Sequence, residues 1–87
     1  MAWVYILRGV DNGYFYIGST ENLKQRLKHH FGGGTPTTKR FGKIVYIFSQ
    51  EYPSLKEARI IEKRLKRLKR HDYIEKIVRE GKIKMHP

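Results

Sequence analysis

Apolar and aromatic residues alternate with other side chains in two segments near the start of the chain, residues 3–8 and 14–18. A period of two is typical of β-strands, whose successive side chains point to opposite faces of a sheet. Between the segments lies Asp11-Asn12-Gly13, and Asn and Gly tolerate the positive φ that tight hairpins require. The pattern predicts an antiparallel hairpin. In its first strand, Val4 and Ile6 point one way and Trp3, Tyr5 and Leu7 point the other.

The segment after the hairpin has apolar residues at helical spacing. Positions i, i+4 and i+8 are apolar, which predicts a first helix that runs to about His30. We expect Ser19 or Thr20 to cap its N-terminus, because a hydroxyl oxygen can accept a hydrogen bond from a free backbone N–H of the first turn. The apolar stripe consists of Leu23, Leu27 and Phe31.

Two further elements follow. Residues 43–49 are rich in β-branched and aromatic side chains and predict a third strand. Ser54 and Glu57 then match a capping box, Ser-x-x-Glu, which predicts the start of a second helix. The apolar face of this second helix consists of Ala58, Ile61, Leu65 and Leu68.

The C-terminal part predicts a short third helix. Asp72 with Glu75 is expected to cap it, and Gly81 is expected to end it. The order β-β-α-β-α-α indicates an α+β fold, with a small three-stranded antiparallel sheet flanked by helices. The apolar residues of the third helix are Tyr73, Ile74, Ile77 and Val78.

Length and composition narrow the class of protein. With 87 residues, one domain covering 1–87 is expected. The sequence has no run of eighteen apolar residues, so we expect no membrane-spanning helix. The first residues read as a strand rather than as a secretory signal. Cysteine is absent, which excludes disulfides and thiol chemistry and fits a cytoplasmic location.

The charge balance points to a polyanionic partner. Nineteen Lys and Arg face eight Asp and Glu, a formal net charge of +11. Such an excess opposes folding by self-repulsion, so nucleic acid is the favoured explanation over a solvated basic face or an anionic membrane. The cations expected to contact the phosphate backbone are Lys39, Arg40, Lys63, Arg64, Lys66, Arg67, Lys69 and Arg70.

Arg26 and His30 lie four residues apart on the first predicted helix, at the edge of its apolar stripe. An arginine at the margin of a core can present its guanidinium fork to a phosphate from a fixed position. The same pattern also fits a basic amphipathic helix with a half-buried arginine and a structural histidine.

Glu62 stands out on the second predicted helix. Between Arg59 and Arg70 there are seven basic residues and this one acid. One interpretation is an i, i+4 ion pair with Lys66. The other is a carboxylate that binds a hard cation such as Mg²⁺, which commonly takes one or two carboxylates and completes its coordination with waters and phosphate oxygens.

Tyr5 and Tyr16 also have two interpretations. Tyrosines on strands usually pack against cross-strand neighbours, but each could offer its hydroxyl to a phosphate or a water. As a general base, a tyrosine has an ordinary pKa of about 10 and needs nearby cations to lower it. His30 is the alternative base, since its ordinary pKa is nearer neutrality.

Taken in order, these residues resemble the GIY-YIG nuclease superfamily over roughly residues 2–75. Trp3-Val4-Tyr5 is similar to the first tripeptide of that motif, and Tyr16-Ile17-Gly18 matches the second. Arg26 and His30 fall where the family has its helical arginine and histidine. The segment from Ala58 to Lys63 resembles the one that carries the family's metal-binding glutamate. The closest resemblance is to small stand-alone bacterial members, some of them related to the catalytic module of structure-selective DNA nucleases.

Two departures from the family pattern are visible. Trp3 stands where the first motif has glycine, a substitution that small members share. Some members use a C-terminal asparagine in the site, whereas the asparagines of this chain are Asn12 and Asn22, both early in the sequence.

The resemblance implies a DNA endonuclease that depends on Mg²⁺ or Mn²⁺ and acts in DNA repair, with DNA as its partner and no membrane. Glu62 is expected to hold the metal, and Arg26 to neutralise charge on the phosphate. Tyr5 is expected to activate the attacking water, helped by His30, while Tyr16 positions a water. The alternatives are a binding module of the same fold that no longer cuts, and a small basic RNA-binding protein.

Overall fold

The computed structural model describes residues 1–11, 13–31, 43–68 and 70–84. Within these ranges the element order is β-β-α-β-α-α, so the α+β class predicted from the sequence is confirmed. The strands are β1 Ala2–Gly9, β2 Phe15–Thr20 and β3 Ile44–Tyr52. The helices are α1 Leu23–Phe31, α2 Leu55–Leu68 and α3 His71–Glu80.

The strands form an antiparallel sheet in the order β2-β1-β3, with β1 in the centre. The hairpin that the sequence predicts joins β1 to β2, and Gly13 in its turn has φ 69°. The register pairs Tyr5 with Gly18 and Leu7 with Tyr16. Since paired residues of antiparallel strands point to the same face, the tyrosines of both strands share one face of the sheet.

The other face of the sheet carries the hydrophobic core, as the alternation along β1 predicts. Val4 and Ile6 are fully buried there, and α2 packs over them. The buried core consists of Ala2, Val4, Ile6, Ile17, Phe48, Tyr52, Ala58, Ile61, Leu65, Ile74, Ile77 and Ile83.

Helix α2 begins as the sequence predicts. The backbone N–H of Glu57 donates to the Ser54 hydroxyl at 3.2 Å, and that hydroxyl donates to the Glu57 carboxylate at 3.3 Å. Its predicted apolar face is buried except at one position, since Leu68 in the last turn is 42% exposed. None of the helices in the described ranges is long and apolar enough to cross a membrane.

The N-cap predicted for α1 is wrong. Ser19 and Thr20 belong to β2, which continues to Thr20 because that residue still pairs with Trp3 across the hairpin. The cap is Asn22, whose Oδ1 accepts a hydrogen bond from the backbone N–H of Gln25 at 3.1 Å. Sheet pairing therefore takes precedence over the local capping signal, and the helix starts three residues after β2 ends.

The cap predicted for α3 is also wrong. Arg70 holds the N-cap position without a side-chain hydrogen bond that caps the helix, and Asp72 lies within the first turn. There the Asp72 carboxylate accepts a hydrogen bond from the Arg70 guanidinium at 2.9 Å. The predicted end is confirmed: Gly81 adopts the left-handed conformation with φ 79°, and its N–H donates to the carbonyl of Ile77.

Candidate active site

Three aromatic side chains from three elements meet on the sheet face opposite the core. Tyr5 comes from β1, Tyr16 from β2 and His30 from α1. The Tyr5 hydroxyl lies 2.8 Å from Nε2 of His30 in a buried hydrogen bond. The Tyr16 ring centre is 6.3 Å from that of Tyr5 and 4.9 Å from that of His30. The hairpin register and one helical residue thus bring together three residues that the sequence singled out.

Gly18 leaves the space in which the Tyr5 ring lies. These two residues face each other across the hairpin, and a Cβ at position 18 would lie 2.5 Å from Cζ of Tyr5. Only a residue without a side chain allows this approach. The sequence motif Tyr16-Ile17-Gly18 therefore has a geometric basis, because its glycine determines where the first tyrosine lies.

The two α1 residues of the predicted site have different environments. His30 is 1% exposed and is the buried side chain of α1, whereas Arg26 one turn earlier is exposed. The predicted stripe packs less closely than expected, since Phe31 is 53% exposed. Arg26 borders a shallow open depression whose other lining residues are Thr20, Asn22, Gln25 and His29. It can thus meet a ligand arriving from solvent at the edge of the aromatic cluster.

Burial determines where the proton of the Tyr5–His30 pair resides. It raises the pKa of Tyr5 above its ordinary value, an effect that Tyr16 reinforces and the charge of Arg26 opposes. It also lowers the pKa of His30, and the charge of Arg26 lowers it further. Near neutral pH the phenol therefore keeps its proton and the imidazole stays neutral.

Glu62 lies on α2 with both carboxylate oxygens engaged. The Ser19 hydroxyl donates a hydrogen bond to Oε1, and the Lys66 ammonium group lies 2.6 Å from Oε2. The ion pair expected from the i, i+4 spacing is therefore present. The charge of Glu62 also contributes to the raised pKa of Tyr5, after the larger effect of burial.

The donor set around Glu62 suits a metal that brings its own ligands. Among the residues that the structure describes, no three His, Asp or Glu side chains gather in one place. Mg²⁺ tolerates such a site, because one carboxylate can anchor it while waters and substrate phosphate supply the remaining oxygens. The Glu62 side chain is 18% exposed, so its carboxylate can be reached from solvent.

The cations predicted to contact nucleic acid lie mainly on α2. Lys63, Arg64, Lys66 and Arg67 are all exposed there. Among the members of the set that the structure describes, Lys66 pairs with Glu62 and Arg70 with Asp72. The predicted contacts Lys39, Arg40 and Lys69 lie outside the described residues.

Sequence reasoning missed the roles of Ser19 and Gly18. Ser19 was expected to cap α1, but its hydroxyl instead contacts Glu62, 43 positions further along the chain. The sequence indicated Gly18 only as the last residue of the motif Tyr16-Ile17-Gly18. Both roles come from neighbours that are distant in sequence, and the hairpin register is the signal that could have identified the second.

Comparison with known proteins places this arrangement in a family. A family model described as the GIY-YIG catalytic domain matches residues 1–76, a stretch that includes every residue of the aromatic cluster and Glu62. The chain belongs to the GIY-YIG family and has its nuclease fold, which confirms the resemblance seen in the sequence.

Within that family the chain is similar to proteins named UPF0213. It is 36% identical over 66 residues to one from Nitratidesulfovibrio vulgaris, a match that covers 75% of this chain and 59% of that protein. It is 37% identical over 70 residues to one from Streptococcus pneumoniae, which covers 79% of this chain and 70% of that protein. The match therefore spans less than two thirds of the first relative.

A solved structure has the same fold. The solution NMR structure of the UPF0213 protein BH0048 from Bacillus halodurans superposes with a TM-score of 0.56 at 30% sequence identity. The superposition covers 93% of this chain and 87% of that one.

Proposed function

We propose that this protein is a divalent-metal-dependent DNA endonuclease that hydrolyses phosphodiester bonds. The observation that carries the proposal is the buried hydrogen bond between Tyr5 and His30, beside Tyr16. A buried phenol needs a hydrogen-bond partner in any case, but an imidazole partner can also take up a proton near neutral pH. The Tyr5 phenol can therefore exchange protons with a water at the surface of the cluster.

The proton balance of this pair gives Tyr5 and His30 consecutive roles. Because the pKa of Tyr5 is raised, the phenolate form is scarce and a neutral Tyr5 cannot by itself act as a strong base. It can accept a proton from the attacking water only while it passes its own proton to Nε2 of His30. The lowered pKa of His30 keeps the imidazole neutral and able to accept. Tyr16 orients the water.

Arg26 and Glu62 serve the phosphate in this proposal. Arg26 is exposed beside the cluster and can present its guanidinium to the scissile group, where negative charge grows in the transition state. Glu62 would hold Mg²⁺ or Mn²⁺, which would supply positive charge to stabilise the scissile phosphate group.

The exposed cations of α2 bind the phosphate backbone with little regard to sequence. Phosphate contacts fix the position of a protein on nucleic acid, whereas contacts with base edges provide sequence specificity. The helix offers many Lys and Arg side chains for the first kind of contact. Structure-selective cleavage, as in DNA repair, is therefore a better fit than recognition of a base sequence.

The test of this function is a cleavage assay with Glu62→Gln. The substitution keeps the shape of the side chain but removes the charge that a hard cation needs, so Mg²⁺-dependent cleavage should be abolished. DNA binding should be unchanged or slightly stronger, because one negative charge is lost. The assay uses branched, single-stranded and duplex DNA, with binding measured in parallel by fluorescence anisotropy.

Two outcomes would contradict the proposal. Cleavage by Glu62→Gln at the wild-type rate would return Glu62 to the role of ion-pair partner of Lys66. Tight DNA binding by the wild-type protein without cleavage of any of these substrates would favour a non-catalytic binding module.

A further inference from the structure

The two oxygens of the Glu62 carboxylate have partners of different kinds. Oε1 accepts a hydrogen bond from the neutral hydroxyl of Ser19 on β2. Oε2 contacts the ammonium group of Lys66 on α2, the same helix as Glu62 itself. One partner is thus a short side chain on a strand of the sheet, and the other is a cation on a long, flexible stem.

Ser19 is held firmly in place. It pairs with Val4 of the central strand and directly follows Gly18, the residue that faces Tyr5. Its side chain has one rotatable bond before the hydroxyl, so the backbone largely determines where the oxygen lies. The hydrogen bond to Glu62 therefore links the strand that carries Tyr16 to the helix that carries the metal-binding carboxylate.

Lys66 is held loosely. Its side chain is 53% exposed, against 18% for Glu62, and an exposed i, i+4 pair is a weak interaction. An ammonium group on Oε2 occupies the side of the carboxylate that a divalent cation needs, and its charge repels that cation. A DNA phosphate, in contrast, offers this lysine an alternative anionic partner.

We propose that Ser19 is a positioning residue for Glu62, and that Lys66 is the cation that a divalent metal must displace from Oε2. The inference rests on the proposed function, in which Glu62 binds the metal. In the DNA-free protein Lys66 neutralises Glu62 and metal affinity is low. When DNA binds, Lys66 moves to a phosphate and Oε2 becomes available, so that metal and DNA bind together.

The first test measures Mn²⁺ binding to the DNA-free protein from the EPR signal of free Mn²⁺. Lys66→Met should tighten binding by about tenfold, because it removes both the competitor and its repulsion. Arg59→Met is the matched control, since it removes one positive charge from the same helix three residues before Glu62. It should change Mn²⁺ binding far less. Glu62→Gln combined with Lys66→Met should abolish the gain.

The second test addresses Ser19. In the Lys66→Met background, Ser19→Ala should weaken Mn²⁺ binding by about tenfold, the usual effect of losing a hydrogen bond that orients a metal ligand. Ser19→Thr keeps the hydroxyl and suits a strand, so it should restore binding. Thermal unfolding of each variant separates this effect from damage to the fold. If Ser19→Ala acted only by destabilising the protein, metal affinity would follow the unfolding temperature and not the presence of the hydroxyl in Ser19→Thr.

The outcomes of these tests are independent of cleavage. An equal gain of Mn²⁺ affinity in Lys66→Met and Arg59→Met, or no gain in either, overturns the role of Lys66. Undiminished binding in Ser19→Ala overturns the role of Ser19. The expected Mn²⁺ pattern in a protein that cuts no DNA would support this inference while the proposed function fails. If Glu62→Gln loses cleavage but the expected Mn²⁺ pattern is absent, the proposed function is supported and this inference fails.

Discussion

Tyr5 is the residue around which the candidate site is built. Its ring is 1% exposed and lies against Gly18, while its hydroxyl bonds to His30. The charges of two further residues act on the pKa of Tyr5: that of Arg26 lowers it and that of Glu62 raises it. A change in any of these neighbours therefore alters the protonation or the position of one phenol.

Arg26→Lys should be nearly as damaging as Arg26→Ala. The proposed contact with the scissile phosphate uses the planar guanidinium fork, which a lysine point charge cannot reproduce. Loss of such a transition-state contact costs about a hundredfold or more in turnover. Single-turnover cleavage at saturating protein measures this step without the contribution of DNA affinity. Should the lysine variant cut within a few-fold of wild type, Arg26 belongs with the general surface cations.

The pKa of His30 should rise when the charge of Arg26 is removed. Burial and that charge both hold it below the ordinary 6.5, and Arg26→Ala relieves the second cause while leaving the first. NMR titration of the His30 ring protons in DNA-free protein measures the shift. Lys24→Ala is the control, because this exposed lysine lies on the same helix and is not among the causes of the shift.

The same lowered pKa fixes the sign of the pH dependence. His30 accepts a proton only when it is neutral, and because its pKa lies below the ordinary 6.5, most of it is neutral at that pH. Wild-type cleavage should therefore keep most of its rate at pH 6.5 and fall at lower pH, as the imidazole becomes protonated. A fall that begins well above pH 6.5 would assign the acid limb to another group.

Whether the sequence could identify a residue of the site depends on how far along the chain its contacts lie. The order of motifs pointed to Tyr5, Tyr16, Arg26 and Glu62, because each lies in a segment of recognisable pattern. The burial of His30 was not predictable, since helical spacing placed it only at the edge of a stripe. The Ser19–Glu62 contact was also beyond reach, because it joins two elements whose packing the sequence does not specify.

At the scale of elements, the start of α1 has a measurable energetic role. Asn22→Ala removes the side-chain acceptor for the N–H of Gln25, and loss of such a cap costs about 1 kcal/mol of stability. Urea denaturation should show this decrease in the free energy of unfolding. Asn22→Asp keeps an acceptor and should stay close to wild type, so an equal loss in both variants would exclude capping as the cause.

The residues that cap the helices were harder to predict from the sequence than the elements themselves, for a physical reason. The capping box of Ser54 and Glu57 forms as predicted because no strand pairing competes for these residues. The signals at Ser19 and Thr20 failed because β2 pairs with β1 along its whole length, and ladder hydrogen bonds outweigh a single cap. Asp72 failed because the helix begins one residue earlier and its carboxylate pairs with Arg70 instead.

At the scale of the molecule, the net charge of +11 governs association with nucleic acid. We expect binding to duplex DNA that is weakly sequence-specific and strongly salt-dependent. If about six phosphates are neutralised, affinity should fall about a thousandfold between about 50 and about 200 mM salt. Anisotropy titrations with two duplexes of unrelated sequence measure both properties. A flat salt response would remove the electrostatic explanation of the charge.

The fold class was predictable because period-two and helical patterns occupy separate stretches of the chain. The strand order β2-β1-β3 was not, since nothing in the sequence indicates which neighbour β3 joins. The length of β3 was also underestimated. The sequence predicts a strand over 43–49, whereas β3 extends through Tyr52 because Ala2 and Trp3 continue to pair with it.

The shallow anchoring of α1 has a consequence for the breathing motions of the protein. His30 is its buried side chain, whereas β1 is paired on both sides and lies under the core. Elements with few buried groups open locally at a lower free energy than global unfolding requires. Amide hydrogens of α1 should therefore exchange with deuterium well before those of β1. Each opening separates the imidazole from the phenol while the sheet stays intact, so the site loses its proton acceptor whenever α1 opens.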